Sequence, residues 1–344
     1  MRLINIANRA RLMNGLRDCK SAYRLANVAD DWADDNNAFI ASLLPNGSTR
    51  SVLTYQLQFI DFCKVAGACP LPASADTVLG FMRHLLDRKL AQSTINKTAI
   101  SAISALHREF DLPSPTLNAR VKLLKKGVTR RTRPPKAKTP VTLAMLLEMA
   151  KKVDLTSFLE VRDMTMFLFM FYFLMRESEA VALRLSDLKT QEFEGKKVLS
   201  MMFATHEPTK NDPESKGDCV VVEQAEDVRL CPLIWGSLYL ELRGDRKSPF
   251  FFVSGSQDDK SVSRLGDKLP NQRLKARCRH AGLDPADFSS HCLRHGGATA
   301  AAAGGAIERL LKAHGRWRSD CVRVYITDTL RNRLLVSRAM MLAP

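Results

Sequence analysis

The sequence predicts a mainly α-helical protein with a small antiparallel sheet, an α+β fold made of two domains. Its 344 residues are enough for two domains that each bury a core. Apolar residues recur at helical spacing through most of the chain. Only two short segments of the second half, KKVLSMMFAT and DCVVVEQ, have the composition of strands, and a polar turn separates them.

A basic, proline-containing segment separates the two domains. Residues 120–138 hold nine Lys or Arg and no acidic residue. Pro134 and Pro135 stop helix formation, so we predict a linker there. The predicted organisation is an N-terminal extension at 1–33, a helical core-binding domain at 34–128, a basic linker at 129–140 and a second domain at 141–344.

The first domain is predicted to be a bundle of consecutive short helices. We place helix starts at Ser48 or Thr49, at Ser74 and at Ser93, because Ser and Thr side chains cap helix N-termini. After each start, apolar residues share one helix face: Val52, Tyr55, Phe59 and Phe62 in the first, Val78, Phe81 and Leu85 in the second, and Ile95, Ala99, Ala102, Leu106 and Phe110 in the third.

The second domain is predicted to be mixed. Thr142 can cap a first helix, and a buried helix follows at residues 161–175, with Arg176 at its end. The two strands then form a hairpin, and helices resume through residues 331–341. The longest apolar run, Met164 to Met175, is too short to span a bilayer, so no membrane partner is expected.

The charge of the chain points to nucleic acid. Fifty-two Lys and Arg against thirty-six Asp and Glu give a net charge of +16, which attracts polyanions. The basic segment either straps across a phosphate backbone or is a solvated surface, and it also resembles a weak nuclear-localisation patch. The candidate DNA-binding residues are Lys125, Lys126, Arg130, Arg131, Arg133, Lys136 and Lys138.

The sequence gives no sign of a metal or cofactor. Its eight cysteines are scattered without a CxxC pair, so we expect buried free thiols rather than a zinc site or a disulfide scaffold. It has neither a phosphate-binding P-loop nor an acidic metal cluster.

A set of cationic and aromatic residues in the second half fits chemistry on a phosphodiester. A nucleophilic side chain needs pre-placed cations around the phosphate, and the departing sugar oxygen needs a proton donor. Guanidinium groups suit the non-bridging oxygens, and a lysine suits proton donation. The candidates in chain order are Arg176, Lys210, His291, Arg294, Trp317 and Tyr325.

Three motifs resemble those of the tyrosine recombinase family, also called phage integrases. MRESEAVALRLSDL is similar to the family's first arginine box, HCLRHGGATAAAAGG to its H-x-x-R box, and HGRWRSDCVRVYI to its tyrosine box. Residues 34–126 resemble the family's core-binding domain in a Cre-like architecture. The sequence around the last box looks most like that of integrases of eukaryotic mobile elements, the Crypton and DIRS-like groups.

The resemblance implies a role for each matching residue. Tyr325 would be the nucleophile that forms a 3′-phosphotyrosyl link and frees a 5′-hydroxyl. Arg176 and Arg294 would hold the scissile phosphate, and His291 would bind it and assist proton movement. Lys210 would protonate the leaving oxygen. The remaining implied roles are a phosphate contact or a packing contact for Trp317 and support of the active-site histidine for Glu179.

Two positions stay open. The family places a histidine or tryptophan nine residues before the tyrosine, where this chain has Arg316. Either Arg316 or Trp317 therefore fills that role. His314 is a further candidate, at a helix end closed by Gly315. Lys216 lies on the same turn as Lys210 and is the alternative proton donor.

The expected function is therefore site-specific DNA recombination without ATP or metal, on double-stranded DNA, by a tetramer engaged on two sites. The alternatives are a type IB topoisomerase-like enzyme and a catalytically inactive DNA-binding protein derived from an integrase. The expected location is with genomic DNA, in the nucleus for a eukaryotic element and otherwise in the cytoplasm or nucleoid.

Overall fold

The computed structural model describes residues 14, 46–131, 136–203, 217–255, 263–318 and 320–326. The chain divides into two units, Met1–Pro135 and Lys136–Pro344. Helices make up most of the described residues of both units, and the second unit also holds a three-stranded antiparallel sheet. The predicted fold class is confirmed.

The first unit is a helical bundle. Its core contains Phe59, Phe81, Leu85 and Leu106, which come from the apolar faces predicted above. Its helices are α1 (Asn46–Ala66), α2 (Ala75–Asp87), a π-helical segment (Thr94–Ala99) that continues into α3 (Ile100–Glu109), and α4 (Ala119–Arg131).

The predicted helix starts of the first unit are right at one position and wrong at two. Ser74 caps α2, where its hydroxyl accepts a hydrogen bond from the Thr77 amide at 3.1 Å. Helix α1 already begins at Asn46, so Ser48 and Thr49 lie inside it; several neighbouring residues of NGST favour the cap position, and the sequence does not choose among them. Ser93 has helical dihedral angles and makes no capping bond.

The second unit is built around one buried helix. This helix, α6 (Phe158–Tyr172), exposes almost none of its side chains and packs against α8 (Pro232–Arg243), α9 (Leu269–His280) and α10 (His291–Ala303). The helices of the unit are α5 (Leu143–Ala150), α6 (Phe158–Tyr172), α7 (Glu177–Ala182), α8 (Pro232–Arg243), α9 (Leu269–His280), α10 (His291–Ala303), α11 (Glu308–His314) and a 3₁₀ helix (Asp320–Tyr325).

The predicted start of the second unit's first helix is confirmed, whereas the bounds of the buried helix are shifted. Thr142 caps α5 by accepting a bond from the Met145 amide at 3.2 Å. Helix α6 starts three residues before the predicted residue 161, because Ser157 caps it. It ends at Tyr172 rather than 175, because Leu174 adopts a left-handed conformation with φ of 47°. The predicted helix at 331–341 lies outside the described residues.

The sheet has strand order β1-β2-β3 with β1 at Leu188–Phe193, β2 at Lys196–Met202 and β3 at Cys219–Glu223. Strands β2 and β3 confirm the two predicted strands, but β1 was not predicted. Its LKTQEF sequence is almost wholly exposed and lacks apolar alternation. The turn into β2 places Glu194 and Gly195 at φ of 51° and 75°, as a two-residue hairpin loop requires, but glutamate is not a usual signal for it.

A pair of glycines lets α10 lie unusually close to the end of α6. A Cβ on Gly296 would be 1.8 Å from the Val141 carbonyl oxygen, and one on Gly297 would be 2.1 Å from the Phe171 carbonyl oxygen. No other residue type leaves room for these backbones. The approach brings the His291–Arg294 end of α10 to the turn that follows α6.

Two further features concern the described residues only. They contain no group of three or more His, Cys, Asp or Glu side chains arranged to hold a metal ion. No helix among them is long and apolar enough to cross a membrane.

Candidate active site

The turn after α6 presents a row of carbonyl groups. The last carbonyls of a helix have no partner within the helix and carry the negative end of its dipole. The left-handed Leu174 reverses the chain there. The carbonyls of Tyr172, Phe173 and Leu174 all accept hydrogen bonds from cationic or imidazole side chains of the C-terminal motifs.

Arg294 is the most deeply buried cation of this site, with an exposure of 0%. Its Nη1 donates to the Leu174 carbonyl, and its Nη2 donates to the Gly315 carbonyl at 2.6 Å. Burial, together with neighbouring arginines, lowers the pKa of Arg294 to about 10, so it stays protonated at neutral pH. Two backbone carbonyls thus hold the guanidinium in one orientation.

Arg316 lies in the same carbonyl cluster. It donates from Nη1 to Phe173 at 3.0 Å and from Nη2 to Leu174 at 3.2 Å. Its backbone φ is 56°, so the left-handed residue at this helix end is Arg316 and not Gly315, whose φ is −81°. Gly315 is needed for a different reason: a Cβ there would be 2.0 Å from the Trp317 ring.

Glu179 joins three arginines. Its carboxylate accepts from the Arg176 amide at 2.7 Å and forms ion pairs with Arg176 at 2.6 Å and Arg316 at 2.7 Å. Arg294 Nη1 lies 3.9 Å away. Burial alone would raise the pKa of Glu179, but the arginines hold it below its usual range, so the carboxylate stays charged. Its described hydrogen bonds go to arginines and none goes to a histidine.

Arg176 is held differently from the sequence-based expectation. It follows the turn and is the N-cap residue of α7, not the last residue of the buried helix. Its side chain is partly exposed, at 31%, in contrast to the buried Arg294. The site therefore has one arginine locked in the interior and one that reaches the surface.

Tyr325 lies at the end of the 3₁₀ helix, inside a ring of side chains from its own chain. Its ring centroid is 5.1 Å from that of Trp317 and 6.1 Å from that of His295. The guanidinium carbon of Arg294 lies 5.6 Å from the Tyr325 ring centroid. Thr299 on α10 donates to the Tyr325 carbonyl at 3.3 Å. Residue 325 therefore reaches Arg294 within one chain.

Two buried donors beside Tyr325 have no hydrogen-bond acceptor among the described residues, namely Arg294 Nε and Trp317 Nε1. The same guanidinium lies 4.6 Å from the Trp317 ring centroid. Leaving a buried N–H without a partner costs about 1–3 kcal/mol. Each of these N–H groups is therefore left for an acceptor that the described residues do not supply.

The remaining predicted site residues are two histidines and two lysines. His291 is the first residue of α10, and burial together with Arg294 and Arg176 lowers its pKa. His314 donates from Nε2 to the Tyr172 carbonyl at 2.7 Å, so it supports the turn. Lys210 and Lys216 lie outside the described residues.

The predicted DNA-binding residues also divide. Lys125, Lys126 and Arg130 lie on α4, which includes residues 129–131 of the predicted linker. Lys136 forms a 2.6 Å ion pair with Asp287, and Lys138 donates to the Ala286 carbonyl, so both side chains are bound within the second unit. The side chains of Arg131 and Arg133 lie outside the described residues.

Sequence reasoning missed the residues that shape this site without reacting. Leu174 carries no sequence signal for a positive φ, because left-handed leucine is uncommon. His295 follows Arg294 directly and could have been considered from its place in the H-x-x-R-H run. Thr299 lies at i+4 from His295 on the same helix face, a spacing that would have identified it.

The sequence matches a known protein family and a relative of that family. Residues 140–329 match the model of the phage integrase family. The chain is 25% identical over 248 residues to an integrase/recombinase xerD homolog from Selenomonas ruminantium, covering 71% of this chain and 70% of that protein.

Solved structures show the same fold at low sequence identity. The XerH site-specific recombinase bound to palindromic difH substrate has a TM-score of 0.61 at 15% identity, covering 96% of this chain and 94% of that one. The Tn1549 transposon integrase in complex with transposon right end DNA has a TM-score of 0.54 at 12% identity, covering 87% and 95%. The family match spans more than half of the chain and includes Tyr325 and the arginine cluster, which consists of Arg176, Arg294 and Arg316. The chain belongs to the phage integrase family, the tyrosine recombinases.

Proposed function

We propose that the protein cuts and rejoins double-stranded DNA at specific sites through a 3′-phosphotyrosyl intermediate, for the integration or excision of a mobile element. The observation that carries the proposal is the pair of buried donors beside the ring of Tyr325, Arg294 Nε and Trp317 Nε1, for which the described residues supply no acceptor. A phosphate oxygen is the acceptor that a guanidinium and an indole N–H would share next to a phenol.

The cleavage step is a transesterification. The Tyr325 phenolic oxygen attacks the phosphorus, an O–P bond to tyrosine forms, and the bond from phosphorus to the 5′-oxygen breaks. Arg176 and Arg294 stabilise the charge that gathers on the non-bridging oxygens. The phenolic proton leaves toward His291, whose lowered pKa favours the neutral, accepting imidazole. The 5′-oxygen takes its proton from Lys210, with Lys216 as the alternative donor.

Rejoining is the same step in reverse. The 5′-hydroxyl of another strand attacks the phosphotyrosine, and tyrosine leaves as the phenol. The energy of the broken bond is kept in the covalent link, so these steps call on no ATP and no metal ion.

Trp317 is the better candidate than Arg316 for the position beside the phosphate. Trp317 contacts Tyr325, and its Nε1 has no acceptor in the described part of the chain. Arg316 is already bound to Glu179 and to two carbonyls. We infer that Arg316 supports the arginine cluster and that Trp317 contacts the phosphate.

The test is a covalent-trapping experiment. The protein is incubated with labelled duplexes tiled from the DNA that flanks its coding sequence, each with a nick that lets the product strand escape. We expect a labelled adduct that survives denaturing electrophoresis and is removed by protease. Mass spectrometry of the digested adduct is expected to find the nucleotide on Tyr325. DNA binding across the whole set without any adduct would favour the inactive DNA-binding alternative.

The topoisomerase alternative has its own signature. A type IB topoisomerase relaxes supercoiled plasmid without a specific site or a partner molecule. We propose instead a tetramer on two DNA sites, in the compartment that holds the genomic DNA. Relaxation of plasmids that lack any tiled sequence, at the rate seen with them, would contradict site-specific recombination.

The basic segment is proposed to contact the phosphate backbone. Changing Arg130, Arg131 and Arg133 to glutamine is expected to weaken DNA binding and to lower the slope of log affinity against log salt by about 2–3, since each phosphate contact contributes roughly 0.9. The measurement is fluorescence anisotropy at several salt concentrations. Lys151→Gln is the control, because the Lys151 ammonium is paired with Glu148. An unchanged slope in the triple variant would mean that the segment is only a solvated surface.

A further inference from the structure

Glu177 connects three helices that meet beside the arginine cluster. It is the first residue of α7 and is half-buried. Its Oε1 accepts from the backbone amide of Asn271 at 3.1 Å, and its Oε2 accepts from the Ser290 hydroxyl at 2.9 Å. One carboxylate thus holds a residue of α9 and the residue that precedes α10.

A third hydrogen bond closes the set. The Ser290 amide donates to the Asn271 side-chain oxygen at 3.1 Å. Ser290 is only 4% exposed, so these bonds are sheltered from water. Three residues from three separate parts of the chain are therefore bonded pairwise, and we call them the Glu177 clamp: Glu177, Asn271 and Ser290.

The clamp uses groups that usually serve their own helix. Asn271 is the third residue of α9, so its amide is one of the first four that lack a partner within that helix. Serine before a helix normally accepts a bond from that helix's own amides, but Ser290 makes no such cap on α10. Its hydroxyl instead donates to Glu177. A carboxylate at the N-termini of α9 and α10 is also favoured by both helix dipoles.

The position of the clamp in the chain gives it a consequence for the reaction. Glu177 directly follows Arg176, and Ser290 directly precedes His291. We propose that Glu177 is a positioning residue that fixes the separation of Arg176 and His291 around the scissile phosphate, an inference that rests on the proposed function. Neither the three motifs nor the family roles assign this residue a part.

The charges around His291 are consistent with this placement. Burial, Arg294 and Arg176 lower the pKa of His291, whereas Glu177 and Glu179 raise it. Removing the charge of Glu177 therefore leaves His291 with the same two arginines and only one carboxylate. The expected result is a further fall in the pKa of His291.

The first pair of variants separates the hydrogen bonds from the charge. In Glu177→Gln the amide keeps an acceptor for Asn271 and a donor for the Ser290 oxygen, so single-turnover adduct formation is expected to stay within about threefold of wild type. In Glu177→Ala both bonds are lost, and adduct formation is expected to slow by about 10–100-fold, the scale of a misplacement near 1 Å. DNA affinity is expected to change by less than about twofold in both, since none of the three clamp residues is among the predicted DNA-binding residues.

A second variant and a control complete the comparison. Ser290→Ala removes one bond and leaves the charge, so adduct formation is expected to slow several-fold; this variant decides the result if Glu177→Ala does not fold. Glu192→Gln, on the exposed strand β1, is expected to match wild type in rate and affinity. The pKa of His291 is followed by the NMR shift of its ring proton, which is assigned with His291→Gln. Of the two variants that keep the clamp bonds, Glu177→Gln and Glu192→Gln, only Glu177→Gln is expected to lower this pKa.

The outcomes distinguish this inference from the proposed function. A wild-type protein that forms no adduct means that the proposed function is wrong, whatever Glu177 does. A wild-type protein that forms the adduct, with folded Glu177→Ala or Ser290→Ala variants that form it equally fast, means that the clamp does not position the site. An unchanged pKa of His291 in Glu177→Gln would also contradict the placement.

Discussion

Tyr325→Phe is expected to bind DNA with wild-type affinity and to form no covalent adduct. The substitution removes a single oxygen atom. The ring contacts to Trp317, His295 and Arg294, and the backbone bond from Thr299, do not involve that oxygen. The pocket should therefore keep its shape while its nucleophile is lost, and adduct formation should fall by roughly 10⁴-fold or more.

The measurement pairs the trapping assay with anisotropy on the same duplexes. Tyr172→Phe is the matched control, because Tyr172 contacts the site through its backbone carbonyl, which accepts from His314, and not through its phenol. The control is expected to form adduct at the wild-type rate. Adduct that persists in Tyr325→Phe would show that another side chain attacks the phosphate, and a loss confined to Tyr172→Phe would identify that residue.

Much of this site can be predicted from the sequence because its chemistry depends on residue type. A phosphodiester attack needs particular kinds of side chain, and the sequence supplies them in the order of a known set of motifs: Arg176, His291, Arg294 and Tyr325. The helices that carry them follow from apolar spacing and capping residues, as at Thr142. These are local properties that a sequence records directly.

The backbone conformation that brings those side chains together cannot be predicted from the sequence in the same way. Leu174 takes a left-handed conformation that leucine rarely adopts, and this turn supplies the carbonyls that orient Arg294 and Arg316. The strain, of order 1–2 kcal/mol, is offset by contacts with distant residues. Nothing within a few residues of Leu174 predicts it.

The direction of the Arg316 side chain is likewise not predicted by the sequence. Its spacing from Tyr325 matches a family position that touches the phosphate, yet its guanidinium is bound to Glu179 and to backbone carbonyls. Arg316 has a φ of 56°, and its side chain reaches Glu179 on α7. A spacing rule assumes the usual backbone, so it does not predict the direction of a side chain on a left-handed residue.

Gly297→Ala is expected to destabilise the second unit by about 3 kcal/mol or more. The added methyl carbon would lie 2.1 Å from the Phe171 carbonyl oxygen and 2.6 Å from a Leu174 methyl group. The leucine could move, but the carbonyl belongs to the last turn of α6 and cannot move without disturbing the core. Overpacking against side chains costs about 1–3 kcal/mol, and a clash with backbone exceeds that range.

The consequence for the site follows from what α10 carries. To relieve the clash the helix must move away from α6, and with it His291, Arg294 and the Thr299 bond to the Tyr325 carbonyl. Arg294 then loses its hold on the Leu174 carbonyl, the acceptor that comes from the displaced turn. Any folded fraction of Gly297→Ala is therefore expected to lose adduct formation as well as stability.

Thermal unfolding of the full chain, followed by circular dichroism, measures the effect. A loss of about 3 kcal/mol should lower the midpoint of the second unit by roughly 6–12 °C. Gly304→Ala is the matched control at the end of the same helix: its added carbon would meet carbonyl oxygens at 3.4 Å and 3.5 Å, which is ordinary contact, and its φ of −77° suits alanine. If Gly297→Ala unfolds at the same temperature as Gly304→Ala, the close approach of α10 and α6 is not what holds Arg294 against the turn.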